Sequence, residues 1–163
     1  TLVDTGEDTL TGGRILKIKD YIKEDFLLTY GDGVSDVNIK ELIKHHKSNK
    51  KMATMTIVQP QGRFGIVEIN KKNLVKNFYE KPKGDGSWIN GGFFVLKKDI
   101  FKYLKDDSTV WEKQPLEKLS KNSELSAFHH HGFWYAMDTM RDKNYLDDLW
   151  FSKKAPWKLW NDK

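Results

Sequence analysis

The 163 residues are 38% hydrophobic and 13% aromatic, enough for a folded domain with a real core, which excludes a disordered tail. Cysteine is absent, which excludes a disulfide framework and a thiolate metal site, and there is neither a bilayer-length apolar run nor a signal-peptide pattern. The formal charge of +5, from 28 Lys+Arg against 23 Asp+Glu, is scattered rather than blocked; it argues against a nucleic-acid partner and suits phosphorylated small substrates. Lack of cysteine fits a reducing compartment, so the expected location is the cytoplasm, with no membrane partner. Because the chain starts at Thr1 without a methionine and runs at once into Leu2-Val3-Asp4, it reads as part of a longer protein.

Thr9-Leu10-Thr11-Gly12-Gly13-Arg14 leads into a helical stretch carrying Ile15, Ile18 and Ile22, with Thr11 as its expected N-cap. Such a terminus can offer backbone N–H groups and a hydroxyl to an anion beside Arg14; the alternative is an ordinary capped helix. Phe26 to Tyr30 reads as a buried strand. Beyond it, Gly31-Asp32-Gly33-Val34-Ser35-Asp36 forms a turn into a helix over Val37 to Lys47, with Ile39, Leu42, Ile43 and His46 on one face and Asp36 as N-cap. Asp32 thus stands at the carboxyl end of a strand, where open α/β sheets bind ligands. Its flanking glycines allow close approach, and a carboxylate there suits Mg²⁺. A plain β-turn is the competing reading.

Met52 to Val58 is expected as a strand, and Gly65 to Ile69 with Leu74 to Tyr79 as a hairpin across Asn70-Lys71-Lys72-Asn73. Pro82 should end the second hairpin strand, which leaves Glu80 and Lys81 at its tip. Lys81 could meet a phosphate there, or the two could form a surface pair. Phe93 to Leu96 reads as a strand covered on both faces, and Gly91 and Gly92 before it open a sugar- or base-sized slot beside Asn90, unless they mark a bulge. Lys98 to Leu104 is a short helix, and Thr109 to Glu112 has capping-box spacing ahead of a helix with Pro115 early in it. His129-His130-His131 follows the strand Leu125 to Phe128; successive strand residues face opposite sides, so one ion cannot take all three. Phe133 to Met137 is a strand closed by Asp138, and a helix from Arg141 to Phe151 is expected to turn Tyr145, Leu146, Leu149 and Trp150 inward. Asp138 repeats the placement of Asp32, so the two could share a cation, though Asp is also a favoured N-cap. The tryptophan-rich tail, residues 152–163, should lie against the body or a neighbouring subunit.

In order along the chain, these pieces resemble the sugar-1-phosphate nucleotidyltransferase family. The resemblance rests on Thr11-Gly12-Gly13-Arg14, Tyr30 to Asp36, Gln59-Pro60 with Gly62-Arg63-Phe64-Gly65, Glu80-Lys81-Pro82-Lys83-Gly84 and Trp88-Ile89-Asn90-Gly91-Gly92. It continues through Gly132-Phe133-Trp134 with Met137-Asp138-Thr139, and Ala155-Pro156-Trp157-Lys158. The Thr-Gly-Gly-Arg, Trp-Ile-Asn-Gly-Gly and tryptophan-tail pieces point to the cytidylyl branch, the glucose-1-phosphate cytidylyltransferases. The resemblance implies an α/β fold, Rossmann-like and three-layered, with a mostly parallel mixed sheet, of which residues 1–163 are the C-terminal part. It implies the Mg²⁺-dependent reaction of CTP with α-D-glucose 1-phosphate to give CDP-glucose and diphosphate, feeding dideoxyhexose synthesis for lipopolysaccharide, by a homo-oligomer.

By the same resemblance Asp32 and Asp138 would hold the metal. Lys81 would meet the sugar phosphate, Thr9, Arg14 and Gly31 the nucleotide, and Gly65, Glu80 and Asn90 the sugar. The family's opening Gly-Gly-x-Gly-Thr-Arg loop and its lysine have no match here, so they are expected upstream of Thr1, and the 163 residues alone are expected to be inactive. Three other readings stay open: a relative using dTTP or UTP, a metal-dependent glycosyltransferase, and a non-catalytic sugar-nucleotide-binding module. The glycosyltransferase would want an Asp-x-Asp, whereas Asp32 and Asp36 are four apart.

Overall fold

A computed structural model describes residues 1–60, 62, 64–83 and 87–160. Arg63 and Gly84 of the motifs above, and the last three residues of the tail, lie outside the described residues. The fold is mixed α/β, and its elements run α1 (Thr11–Lys17), β1 (Phe26–Thr29), β2 (Gly33–Ser35), α2 (Ile39–Asn49), β3 (Ala53–Val58), β4 (Ile66–Ile69) and β5 (Val75–Tyr79). They continue with β6 (Ile89–Leu96), α3 (Gln114–Lys121), β7 (Leu125–His129), β8 (Trp134–Ala136) and α4 (Met140–Phe151). A four-stranded sheet has the order β1-β6-β3-β7, and β2-β8 and β4-β5 form two-stranded ribbons. In the main sheet β1 is antiparallel to β6. By contrast β3 and β7 run the same way: Ala53 N–H bonds Glu124 C=O near their starts and His130 N–H bonds Ile57 C=O near their ends. Parallel and antiparallel pairings therefore coexist in one sheet.

The chain divides into two compact units. The first comprises residues 1–29, 39–55 and 93–128. Its core is apolar and close-packed: Ile15, Leu42, Phe94, Leu96, Ile100, Trp111 and Leu119 are all buried, each contributing about 1.5–3 kcal/mol of burial free energy. The run Phe93 to Leu96 is covered as its continuous apolarity requires. Helix α2 turns Leu42 and His46 inward, as its spacing predicts. His46 joins a polar chain through one ring nitrogen, its Nδ1 lying 2.8 Å from Thr54 Oγ1, which lies 2.7 Å from Ser126 Oγ, while Nε2 is buried with no hydrogen-bond partner among the described residues.

Burial holds the His46 imidazole below its ordinary 6.5, since the charged form loses its hydration. The unfolded chain therefore binds the proton first as pH falls below 6.5, so stability is full above that pH and declines beneath it. Melting temperature should drop as pH falls from 7 to 5.5, and His46→Gln should flatten that slope; an equal slope in the variant contradicts this assignment.

Several local expectations in the first unit give way to longer-range contacts. The strand β1 is half-buried rather than buried, with Leu27 49% exposed, because β1 ends the strand order and each face meets a different environment. Thr11 is not the N-cap of α1; Leu10 is, and Thr11 is the first helical residue. The Thr11 hydroxyl donates to Glu112 at 2.7 Å and accepts from Trp111 N–H at 2.9 Å. The amides expected to await an anion are taken, since Gly12 and Gly13 N–H both donate to Thr109 C=O. A Cβ on Gly12 or Gly13 would collide with the 107–109 backbone, so both glycines serve close packing there. The short helix expected over Lys98 to Leu104 forms, as a 3-10 helix over Lys98–Tyr103. The Thr109–Glu112 spacing makes no capping box, because α3 starts only at Gln114 and Thr109 Oγ1 accepts from the Lys105 and Asp106 amides instead.

The second unit comprises residues 30–38, 56–92 and 129–163. Its buried side chains are fewer, among them Val37, Val58, Thr56, Asp142 and Leu146. The hairpin β4-β5 forms as expected, with Val67 opposite Phe78, and Asn73 at φ 59° closes its turn. The start of α4 departs from expectation. Thr139 is the N-cap, in a reciprocal capping box with Asp142, so Asp138 is free of that duty. Tyr145 and Trp150 are not inward; they are 42% and 43% exposed, and Asp142 takes the buried position, accepting from Tyr135 O–H at 3.1 Å. In the tail Trp157 packs on Phe133, ring centroids 5.3 Å apart, and Trp160 lies 6.3 Å from Trp150.

Candidate active site

Asp32 follows the turn after β1, yet the segment beyond it is not a simple turn into a helix. Gly33-Val34-Ser35 is strand β2, paired antiparallel with β8 in the register Gly33 to Ala136, Val34 to Tyr135 and Ser35 to Trp134. The ladder continues one step further, where Met137 N–H donates to Asp32 C=O at 2.9 Å. Asp138 is the next residue, so the two aspartates stand at the same end of one ribbon. Both are exposed, and neither caps a helix or forms an ion pair among the described residues. One or two exposed carboxylates are the kind of donor that Mg²⁺ takes from a protein beside water and phosphate oxygens. No group of three or more His, Asp or Glu suited to a metal occurs among the described residues, so a pair of carboxylates is the largest acidic donor set on offer.

At the other end of the ribbon Asp36 is not the N-cap expected of it, because α2 begins three residues later at Ile39. Its carboxylate instead lies 2.9 Å from His130 Nε2. The three histidines alternate as strand geometry dictates: His129 and His131 both meet the Trp88 ring edge-on, at 4.7 and 5.3 Å, while His130 turns to Asp36.

A Cβ on Gly31 would meet nothing within 4 Å among the described residues, and Asn90 is bonded to the neighbouring Tyr30. Asn90 Nδ2 donates to Tyr30 O–H at 3.1 Å, and Asn90 Oδ1 accepts from Gly92 N–H at 2.9 Å. The slot expected over Gly91 and Gly92 is filled by protein: a Cβ on Gly92, which has φ +75°, would stand 2.6 Å from the Tyr30 ring, and one on Gly91 3.0 Å from Val58. The glycines are needed for that packing. Gly65, Glu80 and Lys81 form a second cluster at the hairpin base. A Cβ on Gly65 would meet the Phe78 ring at 2.6 Å and Glu80 Oε2 at 3.3 Å, and Lys81 Nζ lies 3.5 Å from Glu80 Oε1. Lys81 has φ +44°, a backbone state costing a lysine about 1–3 kcal/mol and found where a side chain must be aimed.

Thr9 and Arg14, expected at the nucleotide, belong to the first unit. Thr9 is buried with its hydroxyl 3.1 Å from Lys17 Nζ, and Arg14 donates to Thr5 Oγ1 at 2.6 Å and to Glu7 C=O at 3.0 Å. Arg14 as donor, and Thr9 as acceptor from Lys17, hold the 4–9 segment in place. Sequence reasoning missed the β2-β8 ribbon, the Asp36–His130 pair and the Tyr135–Asp142 bond. Only the last had a local signal, the Thr139-x-x-Asp142 spacing.

Comparison with known proteins shows the family of the chain. The nucleotidyl transferase family model matches residues 7–161. Glucose-1-phosphate cytidylyltransferase of Salmonella typhimurium is 52% identical over 162 residues, covering 98% of this chain and 63% of the relative. The probable glucose-1-phosphate cytidylyltransferase of Bacillus subtilis is 44% identical over the same coverage. The chain thus spans about 63% of the length of these relatives. Among solved structures, HddC from Yersinia pseudotuberculosis superposes with a TM-score of 0.64 at 23% identity, over 89% of this chain and 64% of that one, a likeness of fold.

Proposed function

The chain belongs to the nucleotidyl transferase family, and from that premise we propose that the protein containing it converts CTP and α-D-glucose 1-phosphate into CDP-glucose and diphosphate. The observation that carries the reading is the meeting of Asp32 and Met137 in one ladder, with Asp138 next. Two free carboxylates at one ribbon end suit chemistry in which polyphosphate charge must be offset. The choice of base and sugar is supported by the names of relatives 44–52% identical along 98% of the chain.

In this reading a phosphate oxygen of the sugar phosphate attacks the α-phosphorus of CTP. The bond from that phosphorus to the bridging oxygen breaks, and diphosphate leaves with the electron pair. Mg²⁺, when bound, offsets charge on the phosphates. Asp32 and Asp138 hold it, and Lys81, a mobile cation on a constrained backbone, meets the sugar phosphate. Glu80 and Gly65 stand next to Lys81 and line the sugar side, with Asn90 held by Tyr30 beside Gly31. Thr9 and Arg14 shape the 4–9 segment of the first unit.

The reading extends to a cytoplasmic homo-oligomer serving dideoxyhexose synthesis for lipopolysaccharide. No described helix is long and apolar enough to cross a membrane, and exposed Phe64, Ile69, Val75 and Phe78 on or beside the hairpin support self-association. The test is diphosphate release by the full-length protein. Release should require CTP, glucose 1-phosphate and Mg²⁺ together, and release without the sugar phosphate contradicts the transfer.

A further inference from the structure

The ribbon that carries Asp32 and Asp138 has three paired residues per strand. Two-stranded ribbons this short are marginal on their own, and a slip of one residue would move each side chain to the other face. Something must fix the register, and the contacts at its far end do so. Phe133 C=O accepts from Asp36 N–H at 3.2 Å and from Ser35 Oγ at 2.8 Å, and His130 Nε2 lies 3.1 Å from the same oxygen. Val37 N–H closes back on Ser35 Oγ at 3.2 Å. The neighbours of His130 Nε2 are carbonyl, carboxylate and hydroxyl oxygens, so this nitrogen carries a proton. Its hydrogen bond is aligned on Phe133, while Asp36 Oδ1, shielded from water and without a hydrogen bond of its own, is held at 2.9 Å by proximity to that polarised N–H. The His130 side chain is only 10% exposed, and its backbone N–H bonds Ile57 C=O in β3, which anchors the assembly to the main sheet within the second unit. A Cβ on Gly132 would collide with Asp36 Oδ1, so the backbone closes tightly around the pair.

We propose that His130 and Asp36 are positioning residues that lock the register of β2 against β8, and thereby fix the backbone from which Asp32 and Asp138 project, about 13 Å away along the strand. The proposal rests on the metal reading given above for those aspartates. The lock itself is a property of the ribbon and can be measured without the metal.

The experiment uses the full-length protein with His130→Leu, Asp36→Asn and His130→Gln, which keeps an N–H donor near the Nε2 position. Amide exchange is followed at residues 33–35 and 134–137, Mn²⁺ affinity is measured by electron paramagnetic resonance without substrates, and melting temperature is recorded. His130→Leu should speed exchange at the ribbon about tenfold or more and weaken Mn²⁺ by about 10–100-fold, the usual scale for lost support behind a ligand. His130→Gln should recover both to within about threefold, a rescue that lost packing alone would not give. Should His130→Leu not fold, Asp36→Asn carries the same expectations, since it keeps the side-chain volume. Unchanged ribbon exchange and Mn²⁺ affinity in the folded variants overturn the proposal. Unchanged Mn²⁺ affinity in Asp32→Asn overturns the metal reading instead, and the exchange data then judge the lock alone.

Discussion

Asp32→Asn in the full-length protein should lower turnover by about 10²–10³-fold, the scale for removing one preorganised electrostatic partner of a developing charge. Folding should be untouched, because Asp32 is exposed and its backbone carbonyl, not its carboxylate, meets Met137. The amide substitution keeps shape and removes charge, so the loss reports metal and phosphate neutralisation rather than packing. Asp138→Asn should act alike, since Thr139 and Asp142, not Asp138, cap α4. If both carboxylates serve one ion, the double variant should be little worse than the more damaged single one, because residues acting as a unit are not additive. Melting temperatures within a degree or two of wild type, with both turnovers collapsed, are the expected pattern. Multiplicative losses, or a large fall in melting temperature, would place the aspartates in separate or structural roles.

Trp111→Ala should cost about 3–5 kcal/mol of stability, near the top of the range for a single buried truncation. The side chain is fully buried, and its ring meets Phe94 edge-on at 5.7 Å and 77°. Its backbone N–H also bonds Thr11 Oγ1 at 2.9 Å, so the loop carrying Trp111 braces the start of α1. A whole stability of about 5–15 kcal/mol leaves little margin for such a loss. Trp111→Phe should be far milder. It keeps most of the ring and removes an indole N–H that has no hydrogen-bond partner among the described residues, so less is left unsatisfied. Denaturant titration reads both, and an alanine variant less than about 1 kcal/mol down would mean the site collapses to fill the cavity.

Elements set by local patterning were legible in the sequence. The apolar run of β6, the inward face of α2 and the hairpin across Asn70 to Asn73 all follow from periodicity and turn chemistry. What was not legible depends on partners far along the chain. The Thr11 hydroxyl is claimed by residues about one hundred positions away, and the Gly12 and Gly13 amides by Thr109, so local rules for caps and anion sites misplace them. Strand β2 is three residues long, too short for a pattern, and exists because β8 pairs with it. The Gly91-Gly92 pair was read as empty space, but Tyr30 and Val58 occupy it. At the candidate site the aspartates were found by their place at strand ends. The ladder that brings Asp32 opposite Met137, with Asp138 next in the chain, is encoded by no spacing, and the His130–Asp36 contact was hidden because 94 positions separate its members.

The central claim is the choice of substrates, and one competition measures it. The full-length protein is given equal CTP, UTP, dTTP and GTP with limiting glucose 1-phosphate and Mg²⁺, and the sugar nucleotides are resolved by mass spectrometry. CDP-glucose should dominate the products. A mixture in which UDP-glucose or dTDP-glucose equals or exceeds CDP-glucose would contradict the account.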